Sequence, residues 1–224
     1  MLSAAIFDLD GTLVDAHFDG LVAKRAMIAK MAQMGIDISG ISETESAQAI
    51  LDRVPNSNGS ADGVRMEMYR ILDHYELRAS TKVLLKYSVL ETLHALRKEG
   101  LALALVTNSG RRAANEILQK HGIGKFFSVV VTRDDSIRLK PRGDGIAMAV
   151  SLLKVHPSDA IYIGDSTYDI RAAKEAKVLV AAVLGGVHSA ERLMEESPDV
   201  IMSSLGEIPP LVERLKQVKG ASVY

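Results

Sequence analysis

The spacing of apolar residues changes character twice along the chain, and those changes divide it into segments. Residues 2–7 are a short apolar run that breaks into the polar turn Asp8-Leu9-Asp10-Gly11-Thr12. An apolar run of about 4–8 residues bounded by turn residues is the mark of a buried strand, so a strand is predicted there with the acidic turn at its C-terminal end. Beyond Thr12 the apolar positions fall three and four apart. Phe18, Leu21, Val22, Ile28, Met31 and Met34 predict one helix, ended by Gly35. Ser42-Glu43-Thr44-Glu45 fits the capping box of a second helix, which carries Ala49, Ile50 and Val54 and stops at Pro55. Residues 56–60, Asn-Ser-Asn-Gly-Ser, read as a loop, and Val64, Met68, Ile71, Leu72 and Tyr75 as the stripe of a third helix. Leu84-Leu85 begins the return, so residues 15–85 are expected to be all-helical.

From Val89 onward, helical stripes alternate with continuous apolar runs. Val89, Leu93 and Leu96 predict a helix ended by Gly100, and residues 101–106 a buried strand that opens into Thr107-Asn108. A helix through Ala113, Ile117 and Leu118, closed by Gly122, precedes a strand at 126–131 and a helix at 146–153. Residues 160–163 form a further strand that breaks into Gly164-Asp165-Ser166-Thr167-Tyr168-Asp169. A helix at 170–176, a strand at 178–183, a short strand at 200–201 and a helix at 206–218 complete the pattern. Alternating units with buried strands predict an α/β fold, a parallel sheet with helices on both faces, carrying an inserted all-helical segment.

Composition narrows the classes. With 224 residues, 47% of them hydrophobic, the chain can build one core and carry an insertion. A net charge of −1 and a pI near 6.6 supply no basic field for nucleic acid or anionic membranes. No cysteine is present, which excludes disulfides and thiolate metal sites. The first residues lack a basic stretch before the first acid, and no run reaches about 18 apolar residues, so neither a signal peptide nor a membrane anchor is expected and a cytoplasmic location is.

Four polar tips follow predicted strands or the loops after them: Asp8 with Asp10, Thr107-Asn108, Lys140-Pro141, and Asp165 with Asp169. Right-handed crossovers in a parallel sheet bring all strand C-termini to one edge, and the tips with them. Several carboxylates in one place repel unless a cation joins them, and hard oxygen ligands with open positions suit Mg²⁺. A hydroxyl, amide groups and a lysine beside that ion suit a phosphoryl group, whose charge must be neutralised. Taken singly, each tip has a plainer reading as a turn, a helix cap, a loop lysine or a solvated helix start.

Together and in this order the tips resemble the motifs of the haloacid dehalogenase superfamily, phosphatase type: a DxDG(T/V) loop, a hydrophobic strand ending in Thr or Ser, a downstream Lys and a GDxxxD loop. The resemblance runs nearly end to end. It implies a Rossmann-like catalytic core of residues 1–14 and 86–224, with residues 15–85 as a mobile helical cap domain. It implies that Asp8 is the nucleophile and forms an aspartyl phosphate, while Asp10 protonates the leaving alcohol and later activates water. Mg²⁺ would be held by Asp8, the backbone carbonyl of Asp10 and Asp165, with Asp169 nearby or acting through a water. Thr107 and the amide of Asn108 would grip the phosphoryl oxygens, and Lys140 would offset their charge. An acid at position 10 favours phosphate esters over dehalogenation, because an alkoxide needs a proton and a halide does not.

The resemblance therefore implies a Mg²⁺-dependent phosphatase of a small phosphorylated metabolite, with phosphoglycolate the leading candidate. A phosphomutase of the beta-phosphoglucomutase type and an inorganic pyrophosphatase are the alternative enzymes, and a catalytically idle binding protein is the non-enzyme alternative. Monomer and homodimer are both open. In the cap, His17 and Arg53, Arg65 and Arg70 are candidate substrate contacts, although linker and surface roles are the expected ones. The chain departs from many relatives at Tyr87-Ser88, where they carry proline and glycine, and at Gly143, where they carry a second proline. It departs again at Lys177, where they carry glycine and a left-handed helix end would cost about 1–2 kcal/mol.

Overall fold

Both faces of the first strand are covered, and that explains why its sequence is apolar throughout rather than alternating. In β1 (Ala4–Phe7), Ala5 and Phe7 join one core cluster while Ala4 and Ile6 join another. The computed structural model describes residues 2–15, 18–54 and 60–221. The sheet continues with β2 (Ala102–Val106), β3 (Val129–Val131), β4 (Ala160–Gly164), β5 (Leu179–Val183) and β6 (Val200–Met202). All pairings are parallel, in the order β3-β2-β1-β4-β5-β6. Phe7 lies opposite both Leu105 and Ile163, so the residues just beyond those strands emerge at nearly one level. Strand order reverses direction at β1, and the crevice beside such a reversal is where open α/β sheets bind ligands.

One sheet face is covered by α4 (Val89–Lys98), α5 (Arg111–Lys120) and α9 (Ile208–Ala221), through Leu93, Leu96, Ile117 and Val212 among others. The other is covered by α6 (Asp144–Leu153), α7 (Thr167–Glu175) and α8 (Ala190–Glu195), through Ile146, Val150, Ile170 and Leu193. The α/β reading holds, with local corrections. The strand expected at 126–131 is shorter, because Gly124–Phe126 winds into a 3₁₀ turn that buries Phe126. Helix α7 begins earlier than expected, because Ser166 and Asp169 form a reciprocal capping box. Helix α8 has no counterpart in the apolar pattern, since its six residues offer a single buried side chain, Leu193.

Between β1 and α4 lie α1 (Gly20–Gln33), α2 (Ala47–Leu51) and α3 (Ser60–Ser80), packed around a third cluster that includes Met27, Met31, Ile50, Met68 and Leu72. The buried line of α1 is Ala23, Met27 and Met31, whereas the expected Leu21, Val22 and Met34 are exposed. Leu21 faces the cavity described below. The capping box expected at Ser42 does not start a helix. Glu45 accepts the Ser42 N–H at 3.0 Å in an isolated turn, and α2 is capped by Ser46, whose hydroxyl accepts the Ala49 N–H at 3.1 Å. Among the described residues, the strand character of residues 15–85 is one bridge between Val14 and Leu85. His17 and the loop at 56–59 lie outside the described residues.

Two of the sequence departures have structural counterparts. Ser88 occupies a left-handed position, φ +64°, ahead of α4. A side chain at Gly143 would stand 2.9 Å from both Ala172 O and Ala176 N, so the close approach of α6 to α7 leaves no room for proline.

Candidate active site

Asp8 follows directly from β1, its N–H donating to Ile163 O at 2.9 Å, so the sheet itself fixes its backbone. Its carboxylate meets Lys140 Nζ at 2.6 Å. The same ammonium reaches Asp169 at 2.6 Å and the Tyr162 hydroxyl at 3.0 Å, and all four residues are buried. Asn108 holds the lysine backbone from both sides. Its Oδ1 accepts the Lys140 N–H at 2.9 Å and its Nδ2 donates to Lys140 O at 3.0 Å, beside the cis Lys140–Pro141 bond. Burial alone would drive the Lys140 pKa down. The charges of Asp169 and Asp8 override it and hold the ammonium well above its ordinary value.

The turn after Asp8 is shaped around Asp165. Gly11 has φ +82°, and a side chain there or at Gly186 would collide with the Asp165 carboxylate. That carboxylate accepts from the Thr12 hydroxyl at 2.8 Å and from the Val187 N–H at 2.5 Å. Lys86 ties the two glycine turns together, donating to Gly11 O at 2.6 Å and Gly185 O at 3.0 Å. Asp10 turns away from this group and accepts from the Ser109 hydroxyl at 2.6 Å. Burial raises its pKa, against the opposing pull of that hydrogen bond and of Lys140.

Asp8, Asp165 and Asp169 each bring a carboxylate oxygen within 4.8 Å of the others. One ammonium faces three carboxylates, and the strain on charge is visible in their acidities. Burial, then the charge of Asp169, pushes Asp165 up to about 6, and burial raises Asp8 well above the ordinary value despite Lys140. Burial would raise Asp169 too, but the Lys140 charge holds it low. A set of hard oxygen donors short of positive charge fits a divalent metal ion. Asp169 is the most committed of the three, since one oxygen holds Lys140 and Tyr162 while the other caps α7 through Ser166.

Thr107 and Asn108 stand at the tip of β2. The Thr107 oxygen accepts the Ser109 N–H at 3.0 Å, and neither its hydroxyl hydrogen nor the Asn108 N–H has an acceptor among the described residues. The seven candidate residues of the four polar tips therefore meet at one sheet edge, where all but the buried Asp169 line a cavity of about 500 Å³ that residues of α1 and α3 also line.

Residues 5–183 match the family model described as haloacid dehalogenase-like hydrolase. The chain belongs to this family. It is 27% identical to phosphoglycolate phosphatase 1 of Pseudomonas aeruginosa, over 95% of this chain and 80% of the relative. It is 29% identical to pyrophosphatase PpaX of Bacillus velezensis, over 92% of this chain and 94% of that one. The crystal structure of a hydrolase from Pseudomonas syringae shares the fold, with a TM-score of 0.67 at 21% identity, covering 96% of this chain and 99% of its own.

Within this haloacid dehalogenase-like site, three buried side chains, Arg133, Tyr162 and Ser109, escaped the sequence reading. Arg133, just past β3, donates to Glu76 at 2.5 Å, to Asp73 at 2.5 Å and to Asn108 O at 2.9 Å, with its guanidinium over the Tyr69 ring. Glu76 also accepts the Gly110 N–H at 2.9 Å, so α3 is bound to the loop that carries Thr107 and Asn108. A positional signal was present: Thr132-Arg133 directly follows β3, at the same sheet edge. Tyr162 and Ser109 were missed because they read as a core aromatic and a loop serine. Arg53, Arg65 and Arg70 do not line the cavity.

Proposed function

We propose that the chain is a Mg²⁺-dependent phosphatase of a small phosphorylated metabolite, with phosphoglycolate the leading candidate, and that it works through an aspartyl phosphate on Asp8. The observation that carries this reading is the different partnering of two carboxylates two residues apart that line one cavity, Asp8 on Lys140 and Asp10 on Ser109. Asp8 attacks phosphorus while the bond to the leaving oxygen breaks, and Asp10 gives that oxygen its proton. Burial raises the pKa of Asp10, which helps it carry a proton to deliver. Asp10 then takes a proton from the water that attacks the phosphoryl group, and phosphate leaves with Asp8 restored. The Thr107 hydroxyl, the Asn108 N–H and Lys140 are the donors for the phosphoryl oxygens. Asp8, Asp165 and the Asp10 carbonyl would hold Mg²⁺, supported by Asp169, and the ion would neutralise charge on the phosphoryl group.

Residues 15–85 act as a cap over a core of residues 1–14 and 86–224. Support comes from their separate apolar cluster and from the residues of α1 and α3 that line the cavity, where closure excludes water from the reacting centre. No helix among the described residues is long and apolar enough to cross a membrane.

A panel of phosphomonoesters with Mg²⁺ tests the proposal. Phosphate release that stops with excess chelator is expected, and none from any ester refutes it. The likeness to a pyrophosphatase favours one second reading, so pyrophosphate belongs in the panel.

A further inference from the structure

The carboxylates that line the cavity are already partnered. Asp8 meets Lys140, Asp10 meets Ser109, Glu76 meets Arg133, and Asp165 meets Thr12 and the Val187 N–H. Three donors that line the same cavity are not matched in this way: Lys24 on α1, His188 in the loop after β5, and Arg192 on α8.

Each has capacity left over. Lys24 is half-buried and uses one of its three N–H donors, on Glu45 O at 2.8 Å. Arg192 makes no hydrogen bond or ion pair among the described residues, which leaves its planar fork open. His188 Nδ1 lies 2.9 Å from the Thr167 N–H, and a backbone N–H only donates, so Nδ1 accepts and the neutral ring carries its proton on Nε2. The edge of the Tyr168 ring, 5.5 Å away between centroids, steadies the imidazole. Burial first, then the charges of Arg192, Arg171 and Lys24, lower the His188 pKa against the opposing charge of Asp169, so Arg192 and Lys24 both lie within electrostatic range of the imidazole.

We infer that Lys24, His188 and Arg192 form a second anion subsite, which takes a carboxylate or phosphate carried on the leaving group while the scissile phosphoryl group sits at Asp8 and Lys140. This rests on the phosphatase reading above and sharpens it to esters that bear two anionic groups. It also moves substrate reading from the arginines of the helical segment to one lysine there and two residues of the sheet domain. An anion held between them bridges α1 and α8, so binding the correct substrate draws the two walls of the cavity together.

The test compares phosphoglycolate and ethylene glycol bisphosphate with ethyl phosphate, which keeps the ester but has a methyl group in place of the second anion. The wild-type protein is expected to favour the dianionic esters in kcat/KM by roughly 10–100-fold, the worth of one or two charge-assisted hydrogen bonds. Preference for one of the two identifies the anion as carboxylate or phosphate. Lys24→Gln and Arg192→Gln each lower that ratio by about tenfold, and Arg192→Lys restores part of it. A wild-type ratio near one, or variants that slow all three esters equally, overturns the subsite but leaves the phosphatase reading intact. If no ester is hydrolysed, the phosphatase reading falls and the subsite is read by calorimetric titration of Asp8→Asn protein with phosphoglycolate and ethyl phosphate. Tighter binding of phosphoglycolate, weakened by Arg192→Gln, supports it, and equal binding overturns it.

Discussion

Arg133 and Glu76 meet at 2.5 Å with 1% and 6% of their side chains exposed, joining the tip of β3 to the helix that faces it across the cavity. Burial raises the pKa of Glu76 even with the guanidinium beside it, so the pair is held in a poorly solvated place. Removing one partner of such a pair leaves the other charge buried and alone. Arg133→Met is therefore expected to lower unfolding free energy by about 3–5 kcal/mol, and Arg133→Met with Glu76→Leu to recover much of that loss. Denaturant unfolding of the two variants measures both, and a single-variant loss under about 1 kcal/mol would place the contact with weak surface pairs.

Asp10 is expected to matter in proportion to how badly the leaving group needs a proton. Asp10→Asn should slow alkyl phosphates by about 10²–10⁴-fold and nitrophenyl phosphate far less. A plot of kcat/KM against leaving-group pKa, steeper in the variant, records the effect. Equal losses across the series would remove Asp10 from proton transfer.

The metal-free protein is expected to lose stability as pH rises from about 4 to about 6. Burial, then Asp169, pushes Asp165 up to about 6 from an ordinary 3.8, so in that window the folded chain holds a proton that the unfolded chain has released. The stabilisation is complete below about pH 4 and gone above about pH 6, a change on the order of 3 kcal/mol. Asp8, Asp10 and Glu76 are also raised, by burial first, and act with the same sign. Asp169 is lowered, so its contribution is lost only in stronger acid, below about pH 4. Denaturation midpoints in chelator across this range test the sign. Mg²⁺ is expected to raise the midpoint most at neutral pH, where the carboxylates are ionised.

Lys177 ends α7 at φ +59°, and the Val178 N–H closes onto Ala173 O at 2.9 Å in a left-handed helix end. Lys177→Gly removes the strain of a side chain in that region and is expected to stabilise the protein by about 0.5–1 kcal/mol. Thermal unfolding measures it, and a lowered midpoint would contradict the reading of the helix end.

The sheet and its active edge were legible because continuous apolar runs and the polar tips after them are local signals. Asp8, Thr107 and Asp165 each stand at or just beyond a strand end, where parallel topology assembles them, while Lys140 lies in the loop after β3 and is held there by Asn108. What stayed hidden depends on contacts between distant segments. Arg133 meets Glu76 across 57 positions of sequence, so its place just past β3 puts it at the right edge but does not show that it is buried on a partner from α3. The stripe of α1 was misread because Leu21 borders a cavity while the small Ala23 packs inside, so hydrophobicity and burial part company there. Ser46 replaced Ser42 as the start of α2 because both local sequences can cap, and packing of Ile50 and Leu51 into the third cluster selects the later one.

The central claim is that Asp8 attacks phosphorus, and Asp8→Asn tests it most directly. The amide keeps the shape of a carboxyl group that burial already pushes toward its neutral form, so the variant is expected to fold. Phosphate release with Mg²⁺, measured on the best substrate of the panel, is predicted to fall by roughly 10³-fold or more, as for other lost nucleophiles. Release within about tenfold of wild type would contradict the account.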